Sequence, residues 1–309
     1  MSLAERYLPY SEGLEPPLSE VIDKISSNDD MYAGSPEHYF TVGFSAMRCI
    51  KVAMHAANLT DFRSILDFPS GYGRVLRMLK AYFPTARLAA CDLNREAVDF
   101  CARTFNAIPL YSKRNPRDVR INDRFDLIWV GSLLTHLDEC MWGGFLELFV
   151  SLLNPNGLLL VTTHGRRSAE RVRVGHTDLN ILQCRRLLSA YVARGFGYVD
   201  YSSQHRFPFP RLSLSRQGER RWEDSRAGPY RRANDLLEHV GHAGFTIRQC
   251  LTQLVHKVVY KKVNYGVSLA SPFWVLSCLH RFTDLRLVSY IEYGWDNHQD
   301  VIALIKTKL

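Results

Sequence analysis

Residues 64–74, SILDFPSGYGR, constrain the fold more than any other stretch of the chain. A short apolar run closes on Asp67, Gly71 and Gly73 follow four and six residues later, and an apolar-periodic helix runs from Arg74. Only a residue without a Cβ lets the backbone bend that sharply and approach a ligand that closely. The turn feeds a helix N-terminus, where free N–H groups and the positive end of the dipole favour an anionic group. A dinucleotide fingerprint requires a third glycine at position 76, which is Leu76 here. Asp92 closes the next apolar run, RLAACD, 21 positions after Gly71. An acid about 20 residues past the glycines is placed to accept hydrogen bonds from ribose hydroxyls. The alternative is a solvated acid capping the helix that starts at Arg95. Taken in order and spacing, the two features point to a nucleoside cofactor.

The rest of the chain reads as α/β. Of its 309 residues, 46% are hydrophobic and 23% charged, enough for one large core with an appended subdomain. A polar leader with a short helix is expected over residues 1–40, then a helix over 41–59. Strands at 64–68, 87–92, 108–111, 125–131 and 158–163 alternate with helices at 74–82, 95–105 and 141–153, the last stopped by Asn154-Pro155-Asn156-Gly157. Such alternation predicts a Rossmann-like, doubly wound, parallel sheet with ligands at the carboxyl ends of the strands. Regularity is then lost for about 100 residues. A helix is expected over 178–193, a loop over 202–229, a helix over 230–242 and an extended segment over 245–260. A helix at 271–282 and strands at 285–293 and 300–307 close the chain.

Charge is concentrated in that irregular region. Residues 165–232 carry 15 arginines, no lysine and six acids, and hold the whole excess behind the net charge of +8. The seven cysteines are scattered without a C-x-x-C pair, so neither zinc ligation nor a disulfide framework is suggested. No apolar run reaches the roughly 18 residues of a membrane span, and no signal peptide opens the chain, so a reducing cytoplasm is expected.

The acid followed by glycines four and six residues later resembles motif I of the class I S-adenosylmethionine (SAM) methyltransferases, although Pro69 stands where the family often has glycine. The closest pattern is that of bacterial members with ILDFxxGxGR and, after strand 4, FDLIW…THL. The resemblance covers residues 39–164 and 265–309. It implies a seven-stranded, mostly parallel sheet of order 3-2-1-4-5-7-6, strand 7 antiparallel, with SAM as cofactor and S-adenosylhomocysteine as product. It also makes residues 165–264 a large, mostly helical insertion after strand 5, expected to cap the carboxyl edge of the sheet. The cofactor contacts it implies are Tyr39, Gly43, Asp67, Pro69, Gly71, Gly73, Asp92, Leu93, Ser112, Gly131 and Ser132.

Methyl transfer from a sulfonium asks the protein for proximity and orientation, and for a base when the nucleophile is a hydroxyl. His136, a few residues after strand 4, is the first candidate base, since imidazole titrates near neutrality. His164 at the end of strand 5 and His298 between the last two strands are the others. Trp295, Asp296 and Arg166 are expected to contact the acceptor, a small molecule or glycan methylated at oxygen. An anionic acceptor would suit the arginines. No [DN]-P-P-[YF] motif is present, which argues against adenine-N6 or cytosine-N4 chemistry. An RNA methyltransferase using the arginine segment, a nicotinamide oxidoreductase and a non-catalytic SAM-binding scaffold are the competing readings.

Overall fold

The computed structural model describes residues 20–201 and 265–307. The expected loop at 202–229, helix at 230–242 and extended segment at 245–260, with residues 1–19 of the leader, lie outside the described residues.

Helix α1 (Pro36–Ala57) starts where Ser35 caps the His38 amide and Pro36 fills the first turn, and ends on Asn58 in the left-handed conformation. There follow β1 (Ser64–Asp67), α2 (Leu76–Tyr82), β2 (Arg87–Asp92), α3 (Arg95–Phe105), β3 (Ile108–Tyr111), β4 (Phe125–Val130), α4 (Glu139–Leu152) and β5 (Leu153–Thr163). Next come α5 (Arg166–Arg173), α6 (Ile181–Arg194) and β6 (Phe196–Asp200). The chain closes with β7 (Gly266–Ala270), α7 (Pro272–Leu279), β8 (Leu285–Trp295) and β9 (Gln299–Lys306). The main sheet has the order β3-β2-β1-β4-β5-β9-β8. Its β1, β2, β3, β4 and β5 pair in parallel, and β9 runs antiparallel to both neighbours. This is the expected seven-stranded, Rossmann-like sheet with its reversed seventh strand.

The alternation of side chains across the strands explains the two-layered core. Ile65, Leu127, Trp129, Leu158 and Leu160 face α1, α2 and α3. Their neighbours Leu66, Ile128, Val130, Leu159 and Val161 face α4 and α7. A third cluster (Ala169, Val172, Leu179, Leu187, Val199 and Leu269) joins α5 and α6 to a separate antiparallel ladder of β6 and β7. That ladder touches the segment following β4, where Ser268 Oγ donates to the Leu134 carbonyl at 2.8 Å.

Several boundaries differ from expectation, α1 starting at Pro36 rather than at 41 because Ser35 caps it, and two more have a clear cause. Helix α2 starts at Leu76, because the turn from Gly71 continues through Val75. Strand β5 starts at Leu153 and runs through Asn154–Gly157, since Asn154 Nδ2 donates to Asp126 Oδ1 at 2.7 Å and holds that stretch beside β4.

The two glycines of the first turn do different work. Both have positive φ, +49° at Gly71 and +83° at Gly73. A Cβ on Gly73 would stand 2.4 Å from Phe105 Cε2, so α3 packs against this backbone; a Cβ on Gly71 would meet nothing within 4 Å. Gly73→Ala should therefore lose about 2–5 kcal/mol, combining left-handed strain with overpacking. Gly71→Ala should lose only the strain, about 1–2 kcal/mol. Urea unfolding of the two variants checks this, and equal losses would contradict it.

Candidate functional site

The carboxyl ends of β1, β2, β4 and β5 meet at one rim. Backbone bonds set the turn after β1: Phe68 N donates to the Trp129 carbonyl and Ser70 N to the Cys91 carbonyl, both at 3.0 Å. The Gly71 amide then donates to Asp92 Oδ2 at 2.9 Å, and the Asn94 amide to Asp92 Oδ1 at 2.8 Å. Burial raises the Asp92 carboxyl above its ordinary range, against the pull of these amides. Asp67 is 1% exposed, and one of its carboxylate oxygens has no partner among the described residues. Burial, and after it the charge of Asp92, pushes the Asp67 carboxyl well above its usual value. No salt bridge to either acid occurs among the described residues.

Arg74 lies across the turn from these acids. Its guanidinium carbon stands 6.0 Å from the Tyr39 ring and 5.9 Å from the Trp295 ring, a cation–π position. Burial lowers its pKa, opposed by Tyr39, Asp29, Asp296 and Asp30. Arg74 closes the SILDFPSGYGR stretch and is not among the expected cofactor contacts. The signal was present: a cation placed directly after a glycine turn.

The remaining expected cofactor residues fall around this turn in different roles. Tyr39 is 1% exposed; its hydroxyl donates to Asp29 Oδ2 at 2.6 Å and accepts from Arg77 Nη2 at 3.2 Å. Arg77, fully buried, also donates to the Ile22 and Lys24 carbonyls, tying the leader to α2. Gly43 lets α1 lie against the turn, since a Cβ there would stand 2.8 Å from the Arg74 carbonyl oxygen. Phe68–Pro69 is a cis peptide. Leu93 is exposed, and Ser112 is buried with its amide on the Asp92 carbonyl at 2.9 Å. Gly131 sits against Trp129 and Trp295. Ser132 has a φ of +57° and is held by Thr162 Oγ1 and Gln299 Nε2.

Trp295 is 4% exposed, edge-on to Trp129 at 5.3 Å, with its indole N–H donating to the Val42 carbonyl. Asp296 is half-buried, its amide on Ser45 Oγ, and burial raises its carboxyl while His38, Arg74 and Arg171 pull it down. Arg166 is held by Glu292 in a bidentate ion pair.

Beyond the turn, the three expected histidines gather in one aromatic group. His136 and His164 stand 6.2 Å apart edge to face, and His164 and His298 5.0 Å. Tyr265 stacks on His136 at 4.7 Å, and Tyr201 lies 6.2 Å from His136 and 5.9 Å from Tyr265. Both tyrosines flank residues 202–264, so their meeting is a long-range contact without local sequence signal. His136 Nδ1 lies 2.8 Å from the Gly266 carbonyl oxygen. A carbonyl only accepts, so Nδ1 carries the proton and Nε2 keeps its lone pair. Burial lowers the His136 pKa below 6.5. His164 is held well below its ordinary value by burial and then by His298 and His136, and burial with Arg171 and Arg167 brings His298 down to about 4. No three His, Cys, Asp or Glu side chains among the described residues are arranged to hold a metal ion. No helix among them is long and apolar enough to cross a membrane.

Residues 66–159, from β1 into β5, match the family described as Methyltransferase domain. No curated protein sequence matches the chain. Among solved structures, a Pyrococcus horikoshii protein aligns with a TM-score of 0.50 at 10% identity, covering 89% of this chain and 93% of its own. An S-adenosylmethionine-dependent methyltransferase of Clostridium acetobutylicum aligns at 0.47 with 12% identity, covering 87% and 92%. DesVI of Streptomyces venezuelae aligns at 0.46 with 13% identity, covering 87% and 93%. At such identities the likeness is one of fold. The family match spans the strand, glycine turn and acid described above, and the sheet has the order and the single reversed strand of this class. Residues 66–159 thus match a methyltransferase domain, set in a Rossmann-like sheet that the described chain completes.

Proposed function

We propose that this enzyme methylates a hydroxyl oxygen of a small-molecule or glycan acceptor, with His136 as general base. The observation that carries this reading is the hydrogen bond between His136 Nδ1 and the Gly266 carbonyl, which fixes the tautomer needed for Nε2 to accept a proton. When bound, SAM supplies an electrophilic methyl on a sulfonium. The residues fit such a cofactor. The unpartnered oxygen of buried Asp67 suits an ammonium, the Arg74 guanidinium suits a carboxylate, and Asp92 at the end of β2 suits ribose hydroxyls. Gly71 leaves room beside them, because nothing lies within 4 Å of where its Cβ would be.

His136 then works on the acceptor alone. Stacking on Tyr265 and the bond to Gly266 hold the ring, and Nε2 takes the hydroxyl proton as the carbon–oxygen bond forms. Burial keeps the imidazole neutral near pH 7, so the base is available without prior deprotonation.

Two outcomes follow. His136→Ala, and His136→Gln, which keeps a donor for Gly266, should each lower turnover about 10²–10⁴-fold with SAM affinity nearly unchanged. Loss of affinity in proportion to rate would instead mark a structural role, and unchanged turnover would exclude His136 as the base. The wild-type rate should rise with pH through the His136 pKa, since protonated imidazole cannot accept a proton. Because burial lowers that pKa, the acid limb should lie below pH 6.5. At the cofactor, Asp92→Ala should weaken SAM binding at least about tenfold in calorimetry, as expected for losing a charge-assisted hydrogen bond of about 1.5–3 kcal/mol. Unchanged affinity would remove Asp92 from the cofactor site.

A further inference from the structure

Helix α5 carries four arginines whose surroundings divide them in two. Arg166 is paired with Glu292, and Arg173 with Glu170 one turn back. Arg167 and Arg171, also one turn apart, share a different side of the helix and have no salt bridge among the described residues. That side is turned toward the β8–β9 connection. Arg167 lies over the Tyr293 ring at 5.3 Å, and Ser168 Oγ, between the two arginines, donates to the His298 carbonyl at 3.2 Å. Both arginines act electrostatically on His298, and Arg171 acts on His164 as well. The Nδ1 atoms of both histidines are buried without a hydrogen-bond partner among the described residues. Two cations without a salt bridge among the described residues thus stand near two buried imidazole nitrogens that lack a partner there, positions that an acceptor-rich group can satisfy.

The neighbouring acids do not neutralise the two cations. Glu292 and Glu170 are already paired. Asp300 accepts from the Tyr290 hydroxyl at 3.0 Å and the Tyr293 amide at 3.2 Å. Asp296 is shared between Arg74 and Arg171.

We propose that Arg167 and Arg171, with His164 and His298 beneath them, form a subsite for an anionic oxygen group, a carboxylate or phosphate, on the methyl acceptor. This deepens the methyltransferase reading and rests on it. His164 lies between His136 and His298, so the anion would sit away from the hydroxyl that His136 serves. The acceptor would then be a molecule whose charge and methylated oxygen are on separate parts. Arginine's planar fork matches either anion with two hydrogen bonds. The outward, paired arginines Arg166 and Arg173 have no part in this subsite.

Inorganic phosphate serves as the probe. In the full-length protein at constant ionic strength and pH 7, imidazole NMR signals are followed as phosphate is added. The signals of His298 and His164 should shift saturably, while that of exposed His55 should not. Arg171→Gln and Arg167→Gln should each weaken phosphate binding about tenfold or more, and Arg173→Gln should leave it unchanged. Thermal unfolding confirms that each variant is folded, and Arg171→Lys should recover part of the affinity. Absence of a response at His298 and His164, or equal weakening by Arg173→Gln, would overturn the subsite. Adding S-adenosylhomocysteine to the same samples separates the two readings. If it binds and phosphate does not, the anionic subsite alone falls; if it fails to bind, the cofactor reading falls and this inference with it.

Discussion

The bond from the Gly71 amide to Asp92 is the contact on which the functional rim depends. It ties the turn after β1 to the end of β2, and so fixes two acids from adjacent strands beside one half-buried arginine. Burying carboxylates is costly unless they are hydrogen-bonded or paired. Asp92 has its amides; Asp67 keeps an oxygen with no partner among the described residues, and burial drives its carboxyl toward the neutral form. A cationic ligand group would reverse that shift, which makes the turn a place where binding and ionisation are linked. Fold stability would be better served by an apolar residue at position 67.

Much of the fold was legible because it rests on local patterns. Each strand of the main sheet shows the apolar run or alternation that a two-sided core imposes, and α3 and β3 have the bounds the sequence implies. Misjudged boundaries came from long-range bonds. Asn154 would break a helix or strand in isolation, yet Asp126, 28 residues away, draws it into β5. Likewise, nothing local shows that β7 pairs with β6 across residues 202–264 rather than joining the main sheet.

The site was legible in the same measure. Asp67, Gly71, Gly73 and Asp92 stand at fixed spacings, and the fold brings them together because strands 1 and 2 are neighbours. Arg74 was in plain view in the sequence, but its position between the Tyr39 and Trp295 rings is set by tertiary packing. Tyr39 was named only through the family resemblance, and the bonds of its hydroxyl to Asp29 and Arg77 have no local sequence signal. The histidines were each identifiable as rim residues. Their convergence with Tyr201 and Tyr265 is a product of tertiary packing, as is the pairing of Arg166 with Glu292, whereas Arg173 pairs locally with Glu170.

The central claim is that charges fixed around the glycine turn, Asp67 and Arg74 above all, recognise the amino-acid end of the cofactor. Calorimetry comparing S-adenosylhomocysteine with methylthioadenosine, which lacks that end, tests it most directly. The wild-type protein should bind S-adenosylhomocysteine at least about tenfold more tightly, the equivalent of one charge-assisted hydrogen bond. Arg74→Gln should remove most of that advantage and leave methylthioadenosine binding unchanged. Equal affinity of the wild-type protein for the two compounds, or an Arg74→Gln variant that keeps the full preference, would contradict the account.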